Sequence, residues 1–418
     1  MRPTSKQIAN LEPYDPKYLP AQIYLNANEN NYGAPQGLYE ALAKMLQAQS
    51  IDLSLHRYPD PLCLKLRELL ASYHGVNPEQ VLVGNGGDEL ILDLILAWGG
   101  NGRKLLIAPP CFSSYELSAA LNGTEVVQVP RIDKIYVEKE LVVAKQGDAT
   151  EQNCATKQGD ATEQNSATEE SATAEQGVAI GQSDAVKNLR CYDVDEEGIL
   201  ARVACGDIDI VMLASPNNPT GDLLSAQFVN RLCTASDAIV LIDEAYIDFA
   251  DTSLSMQSIL HNENLVLLRT FSKAWGLAGV RLGYLLASAE VIRNLAKVRQ
   301  PYSVSRFAAA TGCAALEFKE QVAKTSSKII TERQRVLTLF STLKNIEYYR
   351  SDANFVLLRM SGAHEFWQWL HSTRAILLRD LSSSKGLKNC LRLTIGKTEE
   401  NDAFFAALHE WQGARYSK

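Results

Sequence analysis

A lysine and an aspartate each follow an apolar stretch of the sequence. Lys273 comes four residues after the run 265–269, and Asp243 directly follows the run 238–242. A lysine in apolar surroundings can have a lowered pKa and act as an amine nucleophile. A buried carboxylate needs a cation or several hydrogen-bond donors. Because lone lysines are usually solvated, and such aspartates are often helix caps or ion-pair partners, neither residue identifies a site alone.

Two loops of unusual composition also follow apolar runs. Residues 84–89 (GNGGDE) open a predicted helix, so their backbone N–H groups and the helix dipole would suit a phosphate. In residues 214–221 (ASPNNPTG), two prolines and a glycine restrict the backbone, and an asparagine there could direct its amide at a ligand oxygen. Ordinary turn chemistry would explain either loop by itself.

Two further polar residues extend the set, since Tyr246 lies three residues after Asp243 and Arg281 lies eight residues after Lys273. The set then holds an amine, an acid for a pyridinium nitrogen, an asparagine and a tyrosine for a phenolate oxygen, and a loop for phosphate. These are the groups that pyridoxal phosphate requires. In open α/β sheets, ligands bind at the carboxyl ends of the strands. We therefore expect these residues to meet at one edge of a sheet.

The apolar runs predict that sheet. They are nearly continuous in apolar residues, as in strands that are buried on both faces. The runs are residues 81–83, 104–108, 208–214, 238–242 and 265–269. Amphipathic stretches such as 224–234 separate several of them. This alternation predicts an α/β fold with a mostly parallel sheet between layers of helices.

The character of the sequence changes twice along the chain. Residues 1–35 are rich in Pro, Asn and Tyr and predict an extended arm with a turn near Tyr32 and Gly33. Residues 36–300 hold the runs described above and predict a large domain. Residues 301–418 predict a smaller α+β domain, with a long helical region at 308–345 and a last helix from Thr398. Its predicted strands are residues 355–360, 376–379 and 391–395.

One segment of the large domain resembles none of the rest. Residues 145–156 (KQGDATEQNCAT) recur at 157–168 with a single difference, Cys154 against Ser166. The low-complexity tract continues to about Lys187 and contains no aromatic residue. Such a composition buries too little apolar surface to offset the entropy cost of ordering. We interpret residues 145–187 as a disordered surface insertion.

Composition excludes several classes of partner. The net charge of −8 disfavours nucleic acid and anionic membranes, both of which need a basic face. The eight cysteines include no CxxC pair and the six histidines no HExxH pair, so we expect reduced thiols and no metal site. No signal sequence or apolar run of about 18 residues is present, so we expect a cytoplasmic protein.

Matching motifs cover nearly the whole chain apart from the insertion. They are LNANEN (25–30), HRYPDP (56–61), VGNGGDE (83–89), ASPNNPTG (214–221), LIDEAYIDF (241–249), RTFSKAWGLAGVRLGY (269–284), ANFVLL (353–358) and LRLTIG (391–396). In these stretches the chain resembles the histidinol-phosphate aminotransferase family, within the fold type I pyridoxal-phosphate enzymes. The resemblance implies a seven-stranded, mostly parallel large-domain sheet and a homodimer with shared active sites.

The resemblance also implies roles for individual residues. Lys273 would carry the cofactor and move protons, Asp243 would pair with the pyridinium nitrogen, and Tyr246 with Asn218 would bind the phenolate oxygen. The phosphate would be held by Gly87, Asp88, Thr270, Ser272 and Arg281 and by Tyr58 from the partner subunit, and Phe112 would stack on the ring. The implied substrate contacts are Asn28, Glu29, Tyr58, Asn354, Arg379 and Arg392.

The reaction implied is amino transfer between L-histidinol phosphate and 2-oxoglutarate in histidine biosynthesis. Three positions depart from the family pattern, namely Asn31, His56 and Cys111, and the first two lie near elements that face the substrate. An aromatic amino-acid aminotransferase and a threonine-phosphate decarboxylase of the same superfamily are the alternatives within enzymes. A regulator that keeps this fold as a ligand sensor would need a basic DNA-binding module, which the short, non-basic arm does not supply.

Overall fold

The structure, a computed structural model, describes residues 19–47, 56–136 and 189–416. Two sheets of seven strands each form its framework. The strands are β1 (Ile23–Leu25), β2 (Val81–Gly84), β3 (Lys104–Ile107), β4 (Glu125–Gln128), β5 (Ile132–Ile135), β6 (Leu189–Asp193), β7 (Ile210–Ala214), β8 (Ile239–Asp243), β9 (Leu265–Thr270), β10 (Gly283–Ala287), β11 (Ile346–Tyr349), β12 (Phe355–Met360), β13 (Ile376–Asp380) and β14 (Cys390–Thr394). The α-helices are α1 (Leu38–Gln47), α2 (Leu64–His74), α3 (Gly87–Trp98), α4 (Ser114–Asn122), α5 (Glu196–Val203), α6 (Ala226–Thr234), α7 (Ala289–Leu295), α8 (Arg306–Ala315), α9 (Lys319–Ser341), α10 (Ala363–Arg374) and α11 (Thr398–Tyr416).

The first sheet has the strand order β2-β10-β9-β8-β7-β3-β4. Its strands run parallel except for β10, which is antiparallel to both β2 and β9. Strands β7, β8 and β10 are buried at every position. Helices α3, α4 and α7 pack on one face of this sheet, while α2 and α6 pack on the other. The predicted seven-stranded, mostly parallel sheet between two layers of helices is confirmed.

The second sheet has the order β1-β13-β14-β12-β11-β6-β5. The arm enters it through β1, which pairs in parallel with β13 so that Ile23 lies opposite Ile376. The long helical region predicted at 308–345 is two helices, α8 and α9, joined by a 3-10 turn at Leu316–Phe318. Among the residues that the structure describes, no helix is both long enough and apolar enough to cross a membrane.

Strands β5 and β6 form an antiparallel hairpin at the edge of the second sheet, where Tyr348 of β11 pairs with Leu189 of β6. These residues lie within 36–300, the range predicted for the large domain, and they extend the second sheet. Sequence pattern missed this pairing because β5 is an edge strand whose Ile132 and Ile135 are exposed. Because β5 lacks the continuous apolar run of a buried strand, its residue pattern does not indicate this pairing.

The described chain stops at Tyr136 and resumes at Leu189, at the end of this hairpin where the connection between β5 and β6 begins and ends. The Tyr136 N–H donates to the Leu189 carbonyl at 2.9 Å. Within the hairpin, Asp133 of β5 accepts hydrogen bonds from Arg190 at 2.9 Å and from Arg359 of β12 at 2.8 Å. The predicted insertion, residues 145–187, lies outside the described residues, and these bonds bring together the two points from which it departs.

We predict that a chain in which a short Gly-Ser link replaces residues 145–187 folds with nearly unchanged stability. The hairpin already closes the connection, and each doubling of loop length costs only about 0.6 kcal/mol. The midpoint of thermal unfolding should therefore stay within about 2 °C of that of the intact chain. A Gly-Ser link of unchanged length is the matched control. A fall of more than about 5 °C in the short-link chain alone would show that the tract packs on the fold.

Candidate active site

Lys273 and Asp243 lie at the carboxyl ends of two adjacent parallel strands. Asp243 is the last residue of β8 and pairs with Leu268 of β9, and Lys273 lies three residues beyond the end of β9. The Lys273 Nζ donates to the carbonyl oxygen of Ala27 in the arm at 3.0 Å. It also lies 5.6 Å from the centroid of the Tyr246 ring. The arm therefore passes over the point where both strands end.

The turn that carries Lys273 is fitted closely against the arm. Gly276 has a φ of +65°, and a Cβ on it would lie 2.3 Å from the carbonyl oxygen of Gly33. A side chain at this position would be strained and would collide with backbone, so glycine is required here. The Asn30 side chain secures the same contact by donating to the Ala274 carbonyl at 2.9 Å.

Asp243 is a buried carboxylate, only 7% exposed. It accepts hydrogen bonds from the Tyr115 hydroxyl at 2.9 Å and from the Ala245 N–H at 3.0 Å. Burial raises the pKa of Asp243 to about 6, although these two donors and the charge of Lys273 lower it. No ion pair joins Asp243 to a cation among the described residues. A cationic ligand atom beside this carboxylate would therefore be stabilised, as the protonated nitrogen of a pyridine ring requires.

Tyr246 and Asn218 lie beside this pair. The Tyr246 hydroxyl accepts a hydrogen bond from the Asn28 Nδ2 at 3.0 Å, and its ring meets that of Phe355 edge to face at 5.2 Å. The Asn218 Oδ1 accepts from Arg392 at 2.6 Å. Phe112 packs edge to face on Tyr115, whose hydroxyl binds Asp243, with ring centroids 5.8 Å apart. The aromatic ring predicted to stack on a ligand and the acid predicted to face it are thus held by the same tyrosine.

A site suited to phosphate lies at the other side of the strand ends. Helix α3 begins at Gly87, and a Cβ on Gly86 would lie 2.8 Å from the Arg281 guanidinium. Arg281 binds the Asp88 carboxylate at 2.9 Å. Strand β10 begins at Gly283, opposite both Gly84 of β2 and Thr270 of β9. The N-terminus of α3 and the segment that carries Thr270 and Ser272 therefore flank one strand, as a phosphate-binding site requires.

Thr270 and Ser272 are joined by their own hydrogen bonds. The Thr270 hydroxyl donates to the Ser272 hydroxyl at 3.0 Å, and the Ser272 N–H donates back to Thr270 at 3.0 Å. These bonds fix the orientation of both side chains within the turn that directly precedes Lys273.

One arginine of the second sheet contacts this site, and a second arginine lies opposite it on the neighbouring strand. Arg379 of β13 and Arg392 of β14 are direct cross-strand partners. The Arg392 guanidinium donates to Asn218 and, at 2.7 Å, to the carbonyl of Asn26 in the arm, and it lies 5.4 Å from the centre of the Phe355 ring. Arg392 therefore connects the second sheet, the arm and the loop after β7. Like charges placed opposite each other on adjacent strands favour an anion between or beside them.

The four other predicted substrate contacts have different partners within one chain. Tyr58 is 76% exposed and stacks on Tyr302 with ring centroids 4.7 Å apart, so within one chain it does not join the site. Glu29 is exposed and lines an open cavity of about 380 Å³ together with Ser272 and Glu400. Asn28 and Asn354 are buried, and the Asn354 side chain donates to the Asn28 carbonyl at 3.0 Å. The Asn28 side chain and the Asn354 Nδ2 are engaged within the protein, whereas the buried Asn354 Oδ1 has no hydrogen-bond partner among the described residues.

Three residues that contact the site were missed from the sequence. Tyr115 binds Asp243, Phe355 packs against both Tyr246 and Arg392, and Thr394 binds Asn28. The spacing of three residues from Phe112 to Tyr115 at the start of a helix was an available signal. Nothing in the sequence pattern separated Phe355 or Thr394 from ordinary residues of a buried strand.

Comparison with known proteins identifies the family of this chain. The family described as Aminotransferase class I and II matches residues 20–157 and 173–408. The histidinol-phosphate aminotransferase of Chlorobium phaeobacteroides is 32% identical, covering 93% of this chain and 91% of its own length. That of Thermococcus gammatolerans is also 32% identical, covering 98% and 97%. These matches extend over nearly the whole chain.

Solved structures show the same fold. The histidinol-phosphate aminotransferase from Sinorhizobium meliloti, in complex with pyridoxal-5'-phosphate, is 22% identical and superposes with a TM-score of 0.75. The alignment covers 97% of this chain and 96% of that one.

We predict that Asp243→Asn stabilises the ligand-free protein above pH 6. Because the pKa of Asp243 is raised from 3.8 to about 6, the folded protein binds this proton more tightly than the unfolded chain does. Its contribution to stability is therefore present below pH 4 and is lost as the pH rises through about 6. Removing the charge should raise the free energy of unfolding at pH 7.5 by up to about 3 kcal/mol, with little change at pH 4.

Denaturant unfolding of both proteins at the two pH values measures this difference. Asp237→Asn, at an exposed position before β8, is the matched control and should change stability equally at both. Equal stability of Asp243→Asn and the unsubstituted protein at pH 7.5 would contradict the cost of burial that we assign to this charged carboxylate.

Proposed function

The chain belongs to the class I and II aminotransferase family, and we propose that it transfers an amino group between L-histidinol phosphate and 2-oxoglutarate with pyridoxal phosphate as cofactor. The products are imidazole-acetol phosphate and glutamate, in histidine biosynthesis. The observation that carries the proposal is the buried Asp243 carboxylate beside the Lys273 amine at adjacent strand ends. An acid for a pyridinium nitrogen and an amine for an aldehyde are needed together only by this cofactor.

The residues at the strand ends fit this cofactor. Lys273 would hold it covalently, Asp243 would face its ring nitrogen, and Asn218 with Tyr246 would bind its phenolate oxygen. Gly87 and Asp88 through backbone N–H groups, with Thr270, Ser272 and Arg281, would hold its phosphate, and Phe112 would cover its ring. When bound, the protonated ring withdraws electrons from the substrate Cα.

Three side chains of the protein then stabilise charge and transfer or donate protons. Asp243 stays ionised beside a cation because the cation offsets the cost of burial that raises its pKa. Lys273 accepts and returns a proton at Nζ, which the contact with the Ala27 carbonyl keeps on the arm side of the strand ends. The Tyr246 hydroxyl donates toward the phenolate position. A preorganised set of this kind lowers the barrier without reorganising during the reaction.

Substrate recognition rests on the two arginines of the second sheet. A guanidinium offers a planar fork that suits both a phosphate and a carboxylate, so Arg392 with Arg379 would accept either substrate of the proposed reaction. Because Arg392 also binds Asn218 and the arm, an anion bound there lies beside the residues proposed for the cofactor. Glu29 lines the open cavity that Ser272 also lines.

The exposure of Tyr58 supports a homodimer with shared active sites. Tyr58 stacks on Tyr302 in a region of exposed apolar side chains that includes Leu64 and Phe307. Exposed apolar side chains in a contiguous patch are typical of protein interfaces. In the proposed dimer this patch is covered and the Tyr58 hydroxyl reaches the phosphate in the partner's site.

We predict that Arg392→Lys raises KM for histidinol phosphate and for 2-oxoglutarate by about tenfold or more, because lysine keeps the charge but loses the fork, a loss of about 1.4 kcal/mol. The visible absorption of the bound cofactor should be unchanged. Glutamate formation from 2-oxoglutarate is measured with histidinol phosphate and, in parallel, with phenylalanine. Arg374→Lys, at an exposed ion pair with Glu410, is the control. A preference for phenylalanine would refute the proposed substrate, and an unchanged KM for both substrates would refute the role of Arg392.

We predict that mixing Lys273→Ala chains with Tyr58→Phe chains restores activity. If sites are shared, each heterodimer holds one site with both defects and one with neither, so an equal mixture should reach about a quarter of the unsubstituted activity. Subunit exchange is verified by native mass spectrometry of differently tagged chains. Activity no higher than that of the better homodimer after exchange would argue against a shared site.

A further inference from the structure

Asn28 has an unusual conformation and is almost fully buried. Its φ of +54° places it in the left-handed region, and it is 1% exposed. Asparagine and aspartate adopt this conformation more readily than other residues that carry a side chain. The resemblance placed Asn28 among the substrate contacts. Its observed hydrogen bonds leave the side chain with two partners inside the protein.

Those partners determine how the Asn28 amide is oriented. The Thr394 hydroxyl accepts from the Asn28 N–H at 3.0 Å and donates to the Asn28 Oδ1 at 3.1 Å. The Nδ2 is thereby turned to the Tyr246 oxygen, to which it donates at 3.0 Å. The backbone is held as well, because the Asn354 side chain donates to the Asn28 carbonyl at 3.0 Å.

This orientation constrains Tyr246. Its oxygen accepts a hydrogen bond from the Asn28 Nδ2, so its own hydroxyl hydrogen must point away from Asn28. We propose that Asn28 is a positioning residue that acts through Tyr246, directing the Tyr246 hydroxyl hydrogen into the site, and that it does not contact the substrate. The proposal rests on cofactor binding at Lys273 but not on the identity of the substrate.

The support for this arrangement comes from the second sheet. Thr394 lies on β14 two residues after Arg392, on the same face of the strand. The strand that carries the anion-binding arginine therefore also orients the residue that polarises Tyr246. The charged groups near Tyr246 are Lys273, three residues beyond the end of β9, and Arg392, on the other side of Phe355.

Asn28→Asp tests the proposal because it keeps the size, the left-handed backbone and the Oδ1 contact with Thr394. It replaces the donor toward Tyr246 with an acceptor, so the Tyr246 hydroxyl hydrogen turns to the new carboxylate. In the holoenzyme, the pH at which the visible band of bound pyridoxal phosphate titrates should rise by about one unit. kcat should fall about tenfold or more, and KM for both substrates should stay within about threefold.

Two further variants keep the test decisive. Thr394→Val removes the hydroxyl that orients the Asn28 amide. It should also raise the pH at which the visible band titrates, by a smaller amount than Asn28→Asp does. If Asn28→Asp does not fold, an unmoved titration in Thr394→Val would overturn the proposal. Asn389→Asp makes the same change at another left-handed asparagine, just before β14, with a φ of +60°. This matched control should leave the titration unmoved.

A double-mutant cycle with Tyr246→Phe tests whether the effect of Asn28 depends on the Tyr246 hydroxyl. If Asn28 acts through Tyr246, Asn28→Asp should not shift the titration further in the Tyr246→Phe background. If Asn28→Asp shifts the titration equally with and without Tyr246→Phe, the proposal is overturned. It is also overturned if Asn28→Asp alone raises KM and leaves the titration pH unchanged. The titration needs no substrate. A missing visible band in the unsubstituted protein with pyridoxal phosphate would instead contradict the proposed function.

Discussion

A buried carboxylate that forms no ion pair among the described residues is the constraint on which the rest of the site depends. Asp243 ends a fully buried strand, and two hydrogen-bond donors only partly offset the cost of its charge. Parallel strands end at one edge of the sheet, and ligands of open α/β folds bind at that edge. A cationic ligand atom bound there would offset the cost of this charge. Lys273, Tyr246 and Asn218 all follow strands of the same sheet. Their convergence is therefore a property of the topology.

The strand ends alone do not complete the site. The arm lies across them, holding the Lys273 amine through the Ala27 carbonyl and receiving Arg392 from the second sheet. Gly276 admits the arm to the Lys273 turn at a distance that no side chain would allow. Three parts of the chain that are far apart in sequence thus fix one another's positions, and a displacement of any one would move groups carried by the other two.

The sequence predicted the parts of this structure that depend on local pattern. The buried strands of the large sheet appear as continuous apolar runs, and Lys273, Asp243 and Asn218 stand at the ends of such runs. Strand β10 was missed because it begins within the glycine-rich motif after Lys273, and the hairpin of β5 and β6 because edge strands carry no such run. Tyr115 binds Asp243, and Thr394 binds Asn28. These partners are far apart in the sequence and meet only in the folded chain, so sequence pattern could not predict the contacts.

The closed hairpin at Tyr136 and Leu189 has a consequence for how this chain varies over evolutionary time. Because backbone hydrogen bonds join the two ends, the fold is insulated from the length of whatever lies between them. An in-frame copying error that repeats a twelve-residue unit there adds chain without moving a strand. Selection against such an event is therefore weak at this point of the fold. Between β7 and Asn218, by contrast, one extra residue would shift the asparagine out of reach of Arg392.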